Sequence, residues 1–208
     1  MEIQYYGANS IKITTKKSVI SVDPTSDIAK LSTDLKKTNT VLATRPELAE
    51  GVSGDIFLVS SPGEYEFDDY SVKGIAAQPH TGSTGDLSAT MYRLSTADTV
   101  ILFVGHIDSK LSGDQLEAIG LVDIVVVPVG GNGYTLDAIG AANVVRALEP
   151  KLVVPVHCAS DKLDYSIPQA ELELFTKELG ATVSEEATDK YKVKTLPEQL
   201  TVQIITKS

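Results

Sequence analysis

The stretch VDIVVVPVGGNGYTLDAIGAANVVRALEPKLVVPVHC, residues 122–158, decides the fold of this chain. It contains two apolar runs, IVVVPV and LVVPV, which predict β-strands, and between them a segment whose apolar residues recur with helical spacing. Thr135 is predicted to cap this helix, and Pro150 is predicted to end it. Because such apolar strands are typical of strands buried on both faces, the stretch predicts an α/β fold with helices packed against a sheet.

The rest of the chain extends this pattern. Short β-branched and aromatic runs predict a strand-rich first third, with hairpins turning at Asp68-Asp69 and at 95–98. Three further helices are predicted: 26–37, 112–121 with Ser112 as its N-cap, and 166–180 closed by Gly180. The final stretch, 190–208, predicts two more strands. No repeat or low-complexity linker divides the sequence, which predicts a single domain over 1–208.

Composition limits the classes of function. The chain has 18 Lys and Arg against 28 Asp and Glu, and 18 − 28 gives a net charge of −10. Such a charge disfavours binding to nucleic acid, because that affinity comes largely from Lys and Arg at phosphates. Neither an apolar run long enough to span a membrane nor a secretory signal is evident, so we expect a cytoplasmic protein without a membrane partner. A single cysteine, Cys158, excludes an intramolecular disulfide and a multi-thiolate zinc site.

Three histidines stand out because each lies at or just beyond the end of a predicted strand. They are His80, His106 and His157, and loops at strand ends are where α/β folds place their chemistry. Their spacing matches no short metal motif, so they are either three unrelated loop residues or one shared site. For the Gly131-x-Gly133 turn and for Cys158, a structural role is favoured. Asp23-Pro24 is either a structural turn or a carboxylate that supports a site.

The order of several segments resembles a known family. YYGANSIKI, SVDP, SPGEYEFDDYSVKGI, the stretch 122–158 and KVKTLPEQLTV are similar to a branch of the metallo-β-lactamase superfamily, the small zinc-dependent hydrolase-like proteins related to L-ascorbate-6-phosphate lactonase. This resemblance covers nearly the whole chain. It implies a four-layer αββα sandwich, with a metal site at one edge between the two sheets, and it makes self-association into a homo-oligomer an open alternative.

The catalytic motif of that family is not kept. Where the family has T-H-x-H-x-D-H, the chain has Thr44-Arg45-Pro46-Glu47-Leu48-Ala49-Glu50. The early Gly-His is Gly7-Ala8, and the Gly-Asp whose carboxylate bridges two metals is Gly105-His106. The resemblance matches His80 and His157 to two remaining histidine positions, and it matches Asp23 to the Asp-Pro that supports the first motif.

These substitutions lead to competing hypotheses. A neutral imidazole has one free lone pair, so His106 cannot bridge two cations as a carboxylate does. The charged guanidinium of Arg45 would repel a metal ion or take its place, paired with Glu47, Glu50 or Asp23. The leading hypothesis is therefore a non-catalytic binding or scaffolding module without a cofactor, whose partner is an unknown small molecule or protein.

Two alternatives involve catalysis. In the first, His80, His106 and His157 hold a single zinc ion that activates water, which makes the chain a mononuclear metal-dependent hydrolase. In the second, Glu47, Glu50 or Glu64 acts as a general base without a metal.

Overall fold

Two β-sheets face each other in the computed structural model, which describes residues 1–184 and 188–208. The first sheet has six strands and contains most of the N-terminal third. In spatial order its strands are β15 (Lys190–Lys192), β1 (Glu2–Gly7), β2 (Ser10–Thr14), β3 (Val19–Val22), β6 (Thr40–Leu42) and β7 (Phe57–Val59).

The second sheet has eight strands and includes both strands of the stretch 122–158. In spatial order they are β14 (Thr182–Val183), β16 (Thr201–Val202), β13 (Leu152–Val156), β12 (Ile124–Pro128), β11 (Val100–Phe103), β10 (Ala89–Ser95), β9 (Ser71–Ala77) and β8 (Gly63–Glu66). A small hairpin of β4 (Thr25–Ser26) and β5 (Leu31–Ser32) lies outside both sheets. The hairpins predicted at Asp68-Asp69 and at 95–98 are confirmed as the β8–β9 and β10–β11 turns.

Helix α1 (Gly113–Ile119) and helix α2 (Ala138–Leu148) lie where the sequence predicts helices. Ser112 caps α1 as predicted, since its hydroxyl accepts the Gln115 N–H while the Gln115 side chain accepts the Ser112 N–H. The predicted cap of α2 is wrong. The carboxylate of Asp137 accepts the Gly140 N–H at 2.7 Å, whereas Thr135 is fully buried two residues earlier.

Helix α3 (Leu172–Leu179) is shorter than predicted, although Gly180 ends it in the left-handed conformation as expected. Residues 166–171 do not join the helix because their backbone bonds to distant parts of the chain: Ala170 N–H donates to the Gly130 carbonyl at 2.8 Å. The helix predicted over 26–37 is also wrong. That segment forms β4, β5 and turns, and its Thr33 N–H donates to the Pro24 carbonyl. A short 3₁₀ helix, Pro46–Ala49, follows β6.

The core has two main layers. One lies between the sheets, with Tyr92 and Phe103 at its centre, and the other lies between the eight-stranded sheet and the helices, where Phe175 is fully buried. Every residue of β12 and β13 is buried, as expected for strands covered on both faces. The α/β sandwich fold class is confirmed. The outer layer over the six-stranded sheet is reduced to the 3₁₀ helix and loops around Val41 and Ala43.

Several strands end at the same edge of the sandwich. The strand pairs β3–β6, β11–β12 and β12–β13 are parallel, so their carboxyl ends meet there and bring the loops after them together. Within residues 1–184 and 188–208, no helix is long and apolar enough to cross a membrane.

Candidate functional site

The structure brings the three histidines to one end of the sandwich. The His80 N–H donates to the His106 carbonyl at 2.9 Å, which joins the loop after β9 to the loop after β11. The rings of His106 and His157 lie 5.3 Å apart, edge to face. His80, His106 and His157 are named the histidine cluster below.

His106 is buried, with 2% of its surface exposed. Its Nδ1 lies 3.1 Å from the Asn9 amide nitrogen, which can only donate. The proton of the neutral ring therefore sits on Nε2, and this atom has no hydrogen-bond partner among the described residues. Burial holds the pKa of His106 well below its ordinary value, and the neighbouring His157, Arg45 and His80 lower it further.

His157 is equally enclosed, with 1% exposed, and its backbone has a positive φ of 56°. This conformation, which costs energy in a residue with a side chain, is held by the His157 N–H donating to the Ala8 carbonyl at 2.9 Å. The ring Nδ1 donates to the Gln169 side-chain oxygen at 3.0 Å, which leaves a free lone pair on Nε2. Burial lowers the pKa of His157 to about 4, although the Gln169 hydrogen bond opposes this shift.

Two tyrosines cover the histidine cluster. The Tyr134 ring lies 5.1 Å from the His106 ring and 5.6 Å from the His157 ring, and Tyr165 lies 5.3 Å from His157 on another side. The sequence did not point to either tyrosine, nor to Asn9 or Gln169. Of these residues, only Tyr134 could have been found from the sequence, because it directly follows the glycine turn after β12.

Little free volume remains at the floor of this site, between the two sheets. The cavity at its floor, between residues such as Asn9, Asp23 and Gly105, measures about 10 Å³, which is close to the space of a single water molecule. A cavity of about 570 Å³ lies at the opposite end, beside Thr15 and the β10–β11 turn. His106 and His157 are therefore enclosed, whereas His80 is half-buried, and a cavity of about 450 Å³ is lined by Tyr165 and Gln169, the residues that contact His157.

Arg45 lies at the start of the 3₁₀ helix, where Pro46 follows it. Its guanidinium forms an ion pair with Glu47, and the two side chains are 27% and 46% exposed. Burial raises the pKa of Tyr134 and lowers the pKa of His106; the charge of Arg45 opposes the first shift and adds to the second, so a fixed cation stands near the rings. Of the three carboxylates predicted to pair with Arg45, Glu47 does so. Among the described residues, neither Glu50 nor Asp23 lies within ion-pair distance of it.

Asp23 supports the turn that carries Arg45. Its carboxylate accepts both the Thr44 N–H at 2.7 Å and the Thr44 hydroxyl at 2.6 Å. Burial raises the pKa of Asp23 to about 7, while hydrogen bonds from Thr44 and Asn9 oppose the shift. The carboxylate thus holds neighbouring loops together.

Cys158 and the glycine turn have structural roles. Burial raises the pKa of the Cys158 thiol to about 11, which keeps it protonated and unreactive at neutral pH. Gly131 and Gly133 both have positive φ, and the Tyr134 N–H donates to the Gly131 carbonyl to close the turn.

The donor groups of this site do not fit the metal ions implied by the resemblance. His106 presents an N–H rather than a lone pair, and Arg45 places a fixed positive charge nearby. Throughout the part of the chain that the structure describes, no group of three or more His, Cys, Asp or Glu residues is arranged to hold a metal ion. A zinc site made by His80, His106 and His157 stays a prediction without geometric support.

Comparisons with known proteins agree with this architecture. A UPF0173 metal-dependent hydrolase from Lysinibacillus sphaericus is 27% identical to this chain over 194 residues, covering 76% of this chain and 85% of the relative. Among solved structures, a protein described as a zinc-dependent hydrolase of the metallo-β-lactamase superfamily from Thermotoga maritima superposes with a TM-score of 0.75. It is 18% identical, and the match covers 99% of this chain and 98% of that one.

A second solved structure, the metallo hydrolase Igni18 from Ignicoccus hospitalis, has a TM-score of 0.61 at 16% identity, with 86% of this chain and 90% of that one covered. The family model described as a beta-lactamase superfamily domain matches residues 2–157 of the 208. The two sheets, the helices over one of them and the loops gathered at one end agree with this match. This chain therefore belongs to the beta-lactamase superfamily.

Proposed function

We propose that this chain is a non-catalytic member of its family, a binding or scaffolding module whose hydrolytic centre has been closed. The observation that carries the proposal is the enclosure of the histidine cluster. His106 and His157 are 2% and 1% exposed beneath Tyr134, above a cavity of only about 10 Å³. Binding sites for small molecules usually need some 300–1,000 Å³, so the cavity between the sheets is too small to hold a substrate beneath His106 and His157.

The replaced motif supports the same proposal. Hydrolysis of the family type depends on cations that polarise the substrate and generate hydroxide. Here Arg45 and Glu47 replace two histidines of the motif and neutralise each other as an ion pair. Relatives carry names such as metal-dependent hydrolase, but a shared fold does not transfer a reaction when the groups that perform it have changed.

The test combines metal analysis with activity measurements. Protein purified without chelator is analysed for zinc, iron and manganese, and it is assayed on a lactone, a phosphodiester and a thioester. We expect substoichiometric metal and no turnover above that of His157→Ala. Turnover that is reproducible in the wild type and abolished in His157→Ala would overturn the proposal. Thermal melting of both proteins shows whether the variant still folds.

A second candidate, a mononuclear metal-dependent hydrolase, is favoured by one observation. His80 Nδ1 and His106 Nε2 are buried without hydrogen-bond partners among residues 1–184 and 188–208, which is expected of nitrogens that bind a ligand. For His106 this requires the Asn9 amide to turn, so that its oxygen accepts a proton from Nδ1. This candidate predicts one zinc ion per chain, lost in His80→Asn and in His106→Asn, whereas the non-catalytic proposal predicts the same low zinc content in all three proteins.

A further inference from the structure

The two lateral edges of the sandwich carry opposite charges. Strand β8 ends the eight-stranded sheet, and its sequence Gly63-Glu64-Tyr65-Glu66 alternates exposed glutamates with a half-buried tyrosine. Tyr65 packs against the core between the sheets, while Glu64 and Glu66 are exposed, and Glu64 lies 3.6 Å from the ammonium group of Lys73 on β9. We name β8, together with the neighbouring edge strand β7, the acidic edge.

Strand β15 has the same design with the opposite charge. It ends the six-stranded sheet, and its sequence is Lys190-Tyr191-Lys192. Tyr191 packs against the same core, and the two lysines are exposed. Lys194 adds a further exposed positive charge two residues later. We name this strand and the residues to Lys194 the basic edge.

We propose that the acidic edge of one copy of this chain binds the basic edge of a second copy, so that β8 and β15 continue as neighbouring strands of one sheet. End strands present backbone groups that an added strand can satisfy. On β15 the Thr188 hydroxyl already accepts the Lys190 N–H and donates to the Lys190 carbonyl, so the pairing centres on Lys192. Glu-Tyr-Glu and Lys-Tyr-Lys read the same in both directions. Either strand orientation therefore sets glutamates opposite lysines on one face and the tyrosines together on the other.

Exposed apolar side chains lie beside the charges on the acidic edge. Phe57 and Leu58 of β7 are 51% and 42% exposed, which is unusual for side chains of this size. The Phe57 ring lies 6.2 Å from the Tyr65 ring and 5.5 Å from the Phe67 ring, so these aromatic groups form one surface. On the basic edge, Val193 is a half-buried apolar neighbour of the lysines. An apolar centre with a charged rim is typical of protein interfaces.

The charges also decide which edges meet. Two acidic edges or two basic edges repel, whereas unlike edges attract. The net charge of −10 opposes self-association at long range, but in physiological salt this repulsion is screened beyond about 8 Å, while groups in contact still interact. Pairing of unlike edges leaves one free edge of each kind on a dimer. The assembly therefore closes into a ring or grows into a longer chain.

The test is a charge reversal measured by sedimentation equilibrium, from roughly 10 µM to roughly 1 mM protein, the range in which weak contacts become populated. For the wild type we expect a mass that rises with concentration above the 22.2 kDa of one chain. K190E/K192E and E64K/E66K each remain monomeric. An equimolar mixture of the two associates again, and so does the fourfold variant that exchanges both pairs.

A matched control separates the edges from net charge. K110E/K177E reverses two exposed lysines away from β15, so it and K190E/K192E share the net charge −10 − 4 = −14. The control should associate about as strongly as the wild type. A wild type that stays monomeric over the whole range, or association that K190E/K192E does not weaken at least tenfold relative to the control, overturns the proposal. Thermal melting verifies that each variant is folded.

Discussion

The end of the sandwich that holds the histidine cluster has two walls, which differ in their packing and in the residues at the metal-ligand positions expected from the resemblance. The C-terminal wall comprises the loops after β11, β12 and β13, with Gly105, His106, Gly130 and His157, and it is buried and tightly packed. The N-terminal wall carries Ala8 and Arg45 where the resemblance expects metal ligands. The difference shows that packing holds the backbone of the C-terminal wall, and under the proposed function this backbone persists although the metal ligands are replaced.

The largest expected effect tests the packing of the C-terminal wall. A Cβ at Gly130 would lie 2.1 Å from the His157 carbonyl oxygen and 2.2 Å from the Gln169 side-chain oxygen. Gly130→Ala should therefore lower the free energy of unfolding by about 3 kcal/mol, the upper end of what overpacking a rigid site typically costs. Urea denaturation measures the change.

Gly133→Ala in the same loop is the matched control. A Cβ there meets nothing within 4 Å, and the cost comes only from its positive φ of 75°. We expect a loss of about 1 kcal/mol. Equal losses in the two variants would mean that the C-terminal wall is not tightly packed.

The next effect concerns Asp23 and the pH dependence of stability. Burial raises the pKa of Asp23 from 3.8 to about 7, so the folded state binds this proton more tightly than the unfolded state does. Its contribution to stability is fully present below about pH 4 and is lost as the pH rises to about 7. The lowered pKa values of His106 and His157 act in the opposite direction, because these rings lose stability as the pH falls below 6.5.

Asp23→Asn isolates the carboxylate. The difference in unfolding free energy between wild type and variant should change between pH 4 and 7, with a slope of at most about 1.4 kcal/mol per pH unit. The wild type loses stability relative to the variant as the pH rises. Urea denaturation across this range checks the prediction, and a pH-independent difference would contradict a raised pKa at Asp23.

The smallest effect is expected at Arg45, in the N-terminal wall. Its ion pair with Glu47 is partly exposed and therefore largely screened by solvent. Arg45→Ala should lower the free energy of unfolding by less than about 1 kcal/mol, and Glu47→Ala should have a similar effect. A double-mutant cycle of the two measures the pair directly. A coupling energy well above 1 kcal/mol would contradict this expectation, because it would show that the Arg45–Glu47 pair contributes substantially to the stability of the fold.

Much of the fold could be predicted because local signals agree with it. The apolar runs of 122–158 became buried strands, and the Ser112 capping box starts α1. The cap of α2 was misplaced by a local choice between Thr135 and Asp137, whereas the two mispredicted helical segments, 26–37 and 166–171, share one cause, which is hydrogen bonding to other parts of the chain. The Ser166 N–H donates to the Ile28 carbonyl at 2.7 Å, and this contact joins the two segments that were wrongly predicted as helical.

The candidate site was predicted only in part. Strand ends located the three histidines, because parallel strands gather their carboxyl ends. Tyr134, Tyr165 and Gln169 escaped prediction, since a ring that covers a site from a loop follows no periodic pattern. The closure of the site, on which the proposed function depends, was therefore invisible in the sequence.

The most direct measurement of the central claim is anomalous X-ray scattering at the zinc edge from crystals grown with excess zinc. We expect no anomalous peak within about 2.0–2.1 Å of a nitrogen of His80, His106 or His157, with the Tyr134 ring still covering His106 and His157. A peak at that distance from two or three of these imidazoles, with Tyr134 displaced, would contradict the claim that this centre has closed.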